Sequence, residues 1–571
     1  MSASAATVTT ASIRPELFPG QIARPSSRAM VVALLAFLVV GGFGLRAYRL
    51  SAEALSEDEL NKVRAVADYR TRGLTPANGE HPFLMKALLA ASTVACEAWN
   101  ATSIADSNPQ LRVSTETAVR LPGALLGALT ALLIFLVASE LFGFEVGLFA
   151  AALWAFDPAA IGFNRIAKED SFVVFFFLLA NVFWLRGQRV AEGGHARPEP
   201  YYWAAAAAFG AMMASKYVPF YIAISGAYYY AFQGVKATRW RMGKKKWLVF
   251  FAVMGVAFVL LNPTILLPGT WHEMRVFAGE KRIGHDSYEF LGTLYRNRMT
   301  LWLTGSPWYF YYVFMGVKLP LTTVAAFVVG LPLLFTKRLG DGRYFVLFWL
   351  FFWFFPFTFL GGKFTRYFTF PLPAVLITAA IGLSAAARAF AGLVALFKES
   401  DAARLYARAA LALVVVSLSA YAAGTAAPHY RLYTNAPLGG GWSRAGDYFP
   451  HDEFYDASTR ETVAEVVRRA RPGARVASET PELLTHYAQV ANRHDLVSVS
   501  LSDRAALRDF APGDVVVVAR GRRYFSNDAL TKALLGGFGA DATVALGPVI
   551  STRIFVLDET SAALVSNSAG G

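Results

Sequence analysis

The strongest constraint on this chain is a series of apolar runs, each about as long as a bilayer is thick, separated by short polar loops. A hydrocarbon core of roughly 30 Å needs about 20 apolar residues to cross it as a helix. Candidate spans fall at 30–49, 117–138, 146–163, 171–186, 201–215, 217–234, 247–267, 318–336, 343–360, 367–390 and 407–425. The predicted fold is therefore a polytopic α-helical membrane protein with about eleven transmembrane helices. Composition agrees, because 55% of the 571 residues are hydrophobic and 16% charged, against roughly 25% charged in soluble domains.

A formal charge of +14 raises the question of nucleic acid. The basic residues, however, sit largely in loops between apolar runs, where the positive-inside rule accounts for them, and no nucleic-acid partner is expected. The single cysteine, Cys96, excludes an intramolecular disulfide and a cysteine metal cage, and is expected to pack as a small side chain. The N-terminus reads as a signal-anchor: about thirty polar residues (1–29) form a cytoplasmic tail before the run Met30–Gly44, and no cleavage site follows.

Loop charge sets sidedness. Lys236, Arg239, Arg241, Lys244, Lys245 and Lys246 form a loop without an acid, which is expected in the cytoplasm. Counting back places loop 51–116 outside, provided that 83–99, which carries Lys86 and Glu97, lies along the surface instead of crossing. The same count puts Arg165–Asp170, Lys216, loop 268–317, Gly361–Arg366 and everything after 427 outside. The membrane part thus spans 30–427. Beyond it, 428–571 reads as an extracytoplasmic α/β domain. There RVASE, DLVSVSL and DVVVVAR are expected strands, alternating with helical TRETVAEVVRRA, PELLTHYAQV and DRAALRDF in a partly parallel sheet.

With sidedness assigned, the unusual ionisable residues share one face. Asp58 and Glu59 follow the first span within LSEDEL, Glu80 and His81 precede Lys86, and Arg165, Lys168, Asp170, Lys216 and Arg366 lie at other outer ends. Singly, each has a bland explanation: basic residues snorkel to head groups, and Asp170 is placed to cap a helix. Together they suit a reaction with an anionic, membrane-held substrate, in which Lys and Arg clamp a phosphate and a carboxylate serves a hydroxyl acceptor as base. The aromatic stretch 295–314, with Tyr309, fits sugar stacking or an interfacial belt. His451, Asp452 and Glu453 are read as a solvated linker in preference to a metal site.

These residues carry a resemblance. Asp58-Glu59 with ADYRTRGL, EHPFLMKALLA, AVRLPGALLGALTALLIFLVASELFG, NRIAKEDSFVVFFF, SKYVPF, SPWYFYYVFMGVKLP, GGKFTRYFTFPLPAV and HYRLYTNAPLGGG occur in that order over residues 45–445. The ordered set resembles the polyprenyl-phosphate-sugar-dependent membrane glycosyltransferases of the GT-C fold, the protein O-mannosyltransferases and lipid A aminoarabinose transferases. The resemblance implies a bacterial cytoplasmic-membrane enzyme, its active site outside, moving a sugar from a polyprenyl-phosphate donor to a hydroxyl of a protein, lipid or glycan, with inversion. It implies Asp58, Glu59 and Asp170 as catalytic acids and Lys86, Lys216, Arg366 and Arg165 as donor-phosphate contacts. It also implies Glu80, His81, His285 and Tyr309 as substrate contacts. No HxH or HxxxH spacing supports a metal, so a divalent ion stays open and no cofactor is assigned. Phe83 replaces a usual second proline, and Thr365 a proline before Arg366. The alternative, a multispan transporter or lipid flippase, is expected to show an internal repeat and charges along a path, and neither is seen.

Overall fold

The computed structural model describes residues 28–193, 197–235, 242–279, 286–398 and 400–568. Helix α1 (Arg28–Ala47) carries an apolar sequence with exposed Phe37 and Val40 and ends on the buried Arg46. Helix α2 (Glu57–Arg72) starts where Ser56 and Glu59 form a reciprocal capping box, and stops at Gly73. Helix α3 (Phe83–Asn100) follows Pro82 and packs on α4 (Thr115–Phe142).

The expected span 146–163 is instead two helices, α5 (Phe144–Phe156) and α6 (Pro158–Asn164), bent by 61°. The chemistry of the break is local. Pro158 brings no N–H, Asp157 Oδ1 accepts the Ala160 amide at 2.9 Å to cap α6, and Arg46 donates to the freed carbonyls of Trp154 and Ala155 at 3.1 and 3.0 Å. Arg46 Nε also donates to Asn164 Oδ1 at 2.9 Å, so one guanidinium holds both arms of the bend.

Helices α7 (Glu169–Gly193), α8 (Glu199–Ser215), α9 (Ile222–Val235) and α10 (Lys244–Leu261) follow. The next connection carries a hairpin of β1 (Ser287–Phe290) and β2 (Thr293–Arg296). Then come α11 (Phe310–Lys318), α12 (Leu321–Leu333), α13 (Gly342–Phe359), α14 (Leu372–Ala395) and α15 (Asp401–Ala426). Among the described residues, six helices are long and apolar enough to cross a membrane, or seven if the bent pair is one span. Helix α12, with 13 residues, falls short of the length a straight crossing requires, and α3 is not among the six.

Helices α12 and α14 approach until side chains have no room. A Cβ on Gly330 would lie 1.9 Å from the Thr378 carbonyl oxygen, and one on Gly382 1.9 Å from that of Ala326. Small residues four apart on both helices permit this contact. At the far end of α5 the buried Glu145 pairs with Arg408 of α15 and accepts from Ser384 of α14 at 2.8 Å, tying three helices.

After α15 the chain passes through helix α16 (Pro450–Phe454) and α17 (Thr459–Arg469) into a five-stranded sheet. Its strands are β3 (Arg475–Ala477), β4 (Val497–Val499), β5 (Val515–Ala519), β6 (Ala542–Leu546) and β7 (Val549–Val556), ordered β4-β3-β5-β7-β6. The three expected strands are the parallel half; β6 and β7 add an antiparallel edge. Helix α18 (Pro481–Val490) presents Tyr487, whose hydroxyl accepts the Leu55 amide at 2.7 Å and donates to Glu116 at 3.1 Å. The Ala54 amide donates to the Ala457 carbonyl at 2.8 Å, so the α/β part is bonded to the loop after α1.

Candidate active site

Asp58 and Glu59 stand side by side on the first turn of α2, yet meet different surroundings. Successive helical residues point about 100° apart, so one acid faces the core and the other the open side. Glu59 is fully buried. Arg120 of α4 donates to both its oxygens at 2.8 and 2.7 Å, and the amides of Ser56 and Ala167 add 2.9 and 2.8 Å bonds. Arg120 also reaches the carbonyls of Leu50, Glu53 and Ala54. The Glu59 carboxylate is thereby a fastener between α2, α4 and the loop before α7.

Asp58 keeps 36% of its side chain exposed. Its Oδ2 meets Lys168 Nζ at 2.6 Å and accepts the Tyr455 hydroxyl at 2.6 Å. Burial opposes its ionisation, but the charges of Lys168, Arg366 and Lys62 prevail and hold the carboxyl well below the usual range. Lys168 is almost wholly buried, and desolvation brings its ammonium down to about 8 against the pull of Asp58.

The row continues on both sides. Arg366 lies over the rings of Phe364, Tyr367 and Tyr455 at 4.1, 5.6 and 5.9 Å and reaches Asp452 at 3.5 Å. Lys216 pairs with Asp170 at 2.7 Å and stands 5.1 Å from the Tyr367 ring centroid, with a quarter of its side chain open. On the inner side Lys62 meets Glu169 at 3.1 Å, and His81 Nδ1 lies 3.4 Å from the same carboxylate. Burial pushes His81 down to about 3, so its imidazole is neutral at working pH.

The sequence candidates therefore separate. Asp58, Asp170, Lys216, Arg366 and His81 line one connected network. Lys86 points into its own loop and donates to the carbonyls of Ala77, Asn78 and His81 at 3.2, 2.7 and 3.0 Å. Arg165 donates to the carbonyls of Arg46, Tyr48 and Arg49 and covers the Tyr430 ring, fixing the end of α1. Glu80 accepts from Asn78 at 2.5 Å. Tyr309 makes its ring contacts with Phe290 and Trp308. His285 lies outside the described residues.

His451, Asp452 and Glu453 are not the solvated linker expected. Asp452 and Glu453 are buried: Asp452 accepts from Tyr288 Oη and the Thr365 amide, both at 2.7 Å, while Glu453 pairs with Lys318. Tyr455, beside them, is the residue sequence reading missed, since 397 positions separate it from Asp58. Lys62 and Glu169 were also missed, although Lys62 stands one helical turn after Asp58. Among the described residues, no group of three His, Cys, Asp or Glu side chains is placed to hold a metal ion.

Comparison with known proteins bears on this arrangement. Residues 107–266 match the family described as dolichyl-phosphate-mannose-protein mannosyltransferase. No curated protein matches. The archaeal oligosaccharyltransferase AglB from Archaeoglobus fulgidus, in complex with an inhibitory peptide and a dolichol-phosphate, is similar with a TM-score of 0.51 at 13% identity. That likeness covers 86% of this chain and 69% of the other. ArnT from Cupriavidus metallidurans bound to undecaprenyl phosphate is 15% identical over 93% of this chain and 98% of its own, with a TM-score of 0.47. The shared architecture makes this chain an integral membrane protein of the GT-C fold, and the family match over 107–266 puts it among enzymes of the glycosyltransferase class.

Proposed function

We propose that the protein transfers a sugar from a polyprenyl-phosphate donor to a hydroxyl of a protein, lipid or glycan acceptor, with inversion, at the outer face of a bacterial cytoplasmic membrane. The observation that carries this reading is Asp58, a half-open carboxylate clamped by Lys168 and Tyr455 at the head of a row of cations. The family that matches 107–266 and the dolichol-phosphate and undecaprenyl phosphate bound by the similar structures support the donor class.

In the reaction the acceptor hydroxyl, held by Asp58, attacks the anomeric carbon. The bond from that carbon to the phosphate oxygen breaks, its electron pair leaves with the lipid phosphate, and the hydroxyl proton passes to Asp58. The donor diester carries one negative charge, and the departing monoester carries about −1.5 to −2. Lys168, Arg366 and Lys216 therefore attract the leaving group more strongly as the bond breaks, which is the differential binding that accelerates a reaction. Asp170 holds Lys216 in place.

Membranes containing the protein, given a radiolabelled polyprenyl-phosphate sugar, should label an acceptor. Asp58→Asn at equal expression should lose about 10²–10⁴-fold of the rate, the range for a positioned base. Full transfer by the folded variant would remove Asp58 from the mechanism.

A further inference from the structure

The two ends of the GGG-containing stretch, His429 before it and Trp442 after it, which the transfer chemistry does not use, meet at a separate cleft of about 480 Å³. Arg49, Ala52, Thr425, His429, Trp442 and Pro548 line it, together with their neighbours Ala427, Pro428 and Gly547. It opens where α1 and α15 end and the β6–β7 turn comes down from the sheet. Its volume lies within the range of small-ligand pockets, roughly 300–1,000 Å³.

Three features of the lining are built. Arg49 sits at φ 48°, ψ 53°, a left-handed conformation costly for a residue with a Cβ. Arg165 holds it there through the carbonyls of Tyr48 and Arg49, at 2.7 and 3.0 Å, and the Arg49 side chain is left exposed at the cleft. Trp442 is delivered by Gly440 and Gly441, at φ 75° and 60°, while Gly439 is barred from any side chain by Thr434, 2.3 Å from where a Cβ would stand. His429 Nδ1 lies 3.2 Å from Glu53, a carboxylate that only accepts, so the ring proton sits on Nδ1 and Nε2 is left as its other polar atom.

Charge and position identify the ligand class. Among the described residues lining the cleft none is acidic, and Arg49 supplies a guanidinium suited to phosphate. Apolar side chains lead up to it from the membrane: Leu418 and Tyr421 on α15 are 46% and 70% exposed, and Phe37 and Val40 on α1 are 65% and 68% exposed. Between the cleft and Asp58 stand Glu53, its partner Arg431 at 2.6 Å, and Tyr455, whose ring Arg431 covers at 5.2 Å. We propose that this cleft is a second lipid site, in which Arg49, His429 and Trp442 bind the phosphate-bearing head group of a membrane lipid whose chains lie along α1 and α15.

The test is native mass spectrometry of the full chain with a short-chain phosphatidylglycerol. Wild type should retain a lipid that Arg49→Gln and Trp442→Phe bind about tenfold more weakly, while Arg49→Lys regains part of the affinity. Both positions are solvent-exposed, and unchanged melting of either variant without lipid identifies it as folded. Inorganic phosphate should not displace the lipid; displacement at equal concentration would make this a free-phosphate site and overturn the lipid assignment. Equal retention by wild type and both variants would overturn the site itself. Binding is read without sugar transfer, so this outcome is independent of whether Asp58 is catalytic.

Discussion

Replacing Glu59 with Gln separates the two neighbouring acids. The variant keeps the shape of the side chain but removes the charge opposite Arg120, which is buried and tied by Nε and Nη2 to both carboxylate oxygens. One amide oxygen can keep either Arg120 Nε with the Ala167 amide or Arg120 Nη2 with the Ser56 amide, and the amide nitrogen turns a donor toward the other two donors. Breaking a buried pair by removing one partner costs about 3–5 kcal/mol. With about 2.1 cal/mol/K per residue of unfolding entropy, a chain of 571 residues unfolding as a whole melts roughly 3–4 °C lower. If only part of the chain melts, the shift is larger. Asp58→Asn is the control, because Asp58 is partly solvated and its pair with Lys168 is discounted accordingly, to about 1 kcal/mol. Thermal unfolding of both variants in the same detergent, followed by intrinsic fluorescence, provides the comparison. The expected order is a clear loss of melting temperature for Glu59→Gln with little for Asp58→Asn, and the reverse order in transfer rate per folded molecule. An Asp58→Asn protein that melts lower than Glu59→Gln would refute the division into a working acid and a fastening one.

Three further outcomes follow from the geometry. Lys168 titrates at about 8; a lysine whose value is depressed is charged below it and neutral above, so kcat/KM should fall as pH rises through about 8, and Lys168→Arg should hold its rate to higher pH. His81 is already neutral above about 3, so His81→Gln should leave the pH profile between about 5 and 8 unmoved. Gly382→Ala would place a methyl 1.9 Å from the Ala326 carbonyl oxygen. It should destabilise the α12–α14 contact by about 1–3 kcal/mol, visible as a lowered melting temperature without a change in KM.

Much of the outline was legible because hydropathy and loop charge are local properties. The runs at 30–49, 117–138 and 367–390 appear as α1, α4 and α14, and the alternating C-terminal segments as the parallel half of the sheet. The 61° break between α5 and α6 was written as Asp157-Pro158, but continuous apolarity on both sides concealed it. The site was legible only in part. Asp58 is marked by its neighbours in sequence, whereas Tyr455 and Asp452 come from a segment whose polarity resembles a linker and whose burial depends on the fold. Lys86 and Arg165 show the converse: a cation at the right place in the chain can spend its donors on nearby carbonyls, and sequence does not reveal where a long side chain turns.

Four cations of the network around Asp58 already have a carboxylate beside them: Lys168 has Asp58, Lys216 Asp170, Arg366 Asp452 and Lys62 Glu169. On the proposed reaction, the resting Asp58 is therefore too acidic to be an effective base, since a base works best when its value lies nearer the operating pH. A donor phosphate that takes donors of Lys168 and Arg366 cancels part of the charge that holds Asp58 down, and the carboxyl climbs back toward its ordinary value near 3.9. Donor binding would thus strengthen the base at the moment the acceptor needs it. The kinetic signature is a separation of two acid limbs. The kcat/KM for donor reports the free enzyme and should hold down to the lowest pH at which the protein stays folded, because Asp58 stays ionised there. The kcat reports the loaded enzyme and should begin to fall at a higher pH, as Asp58 becomes able to take up a proton. Coincident limbs would mean that the phosphate leaves Lys168 with Asp58, and that the donor is held by Lys216 and Arg366 without rearming the acid.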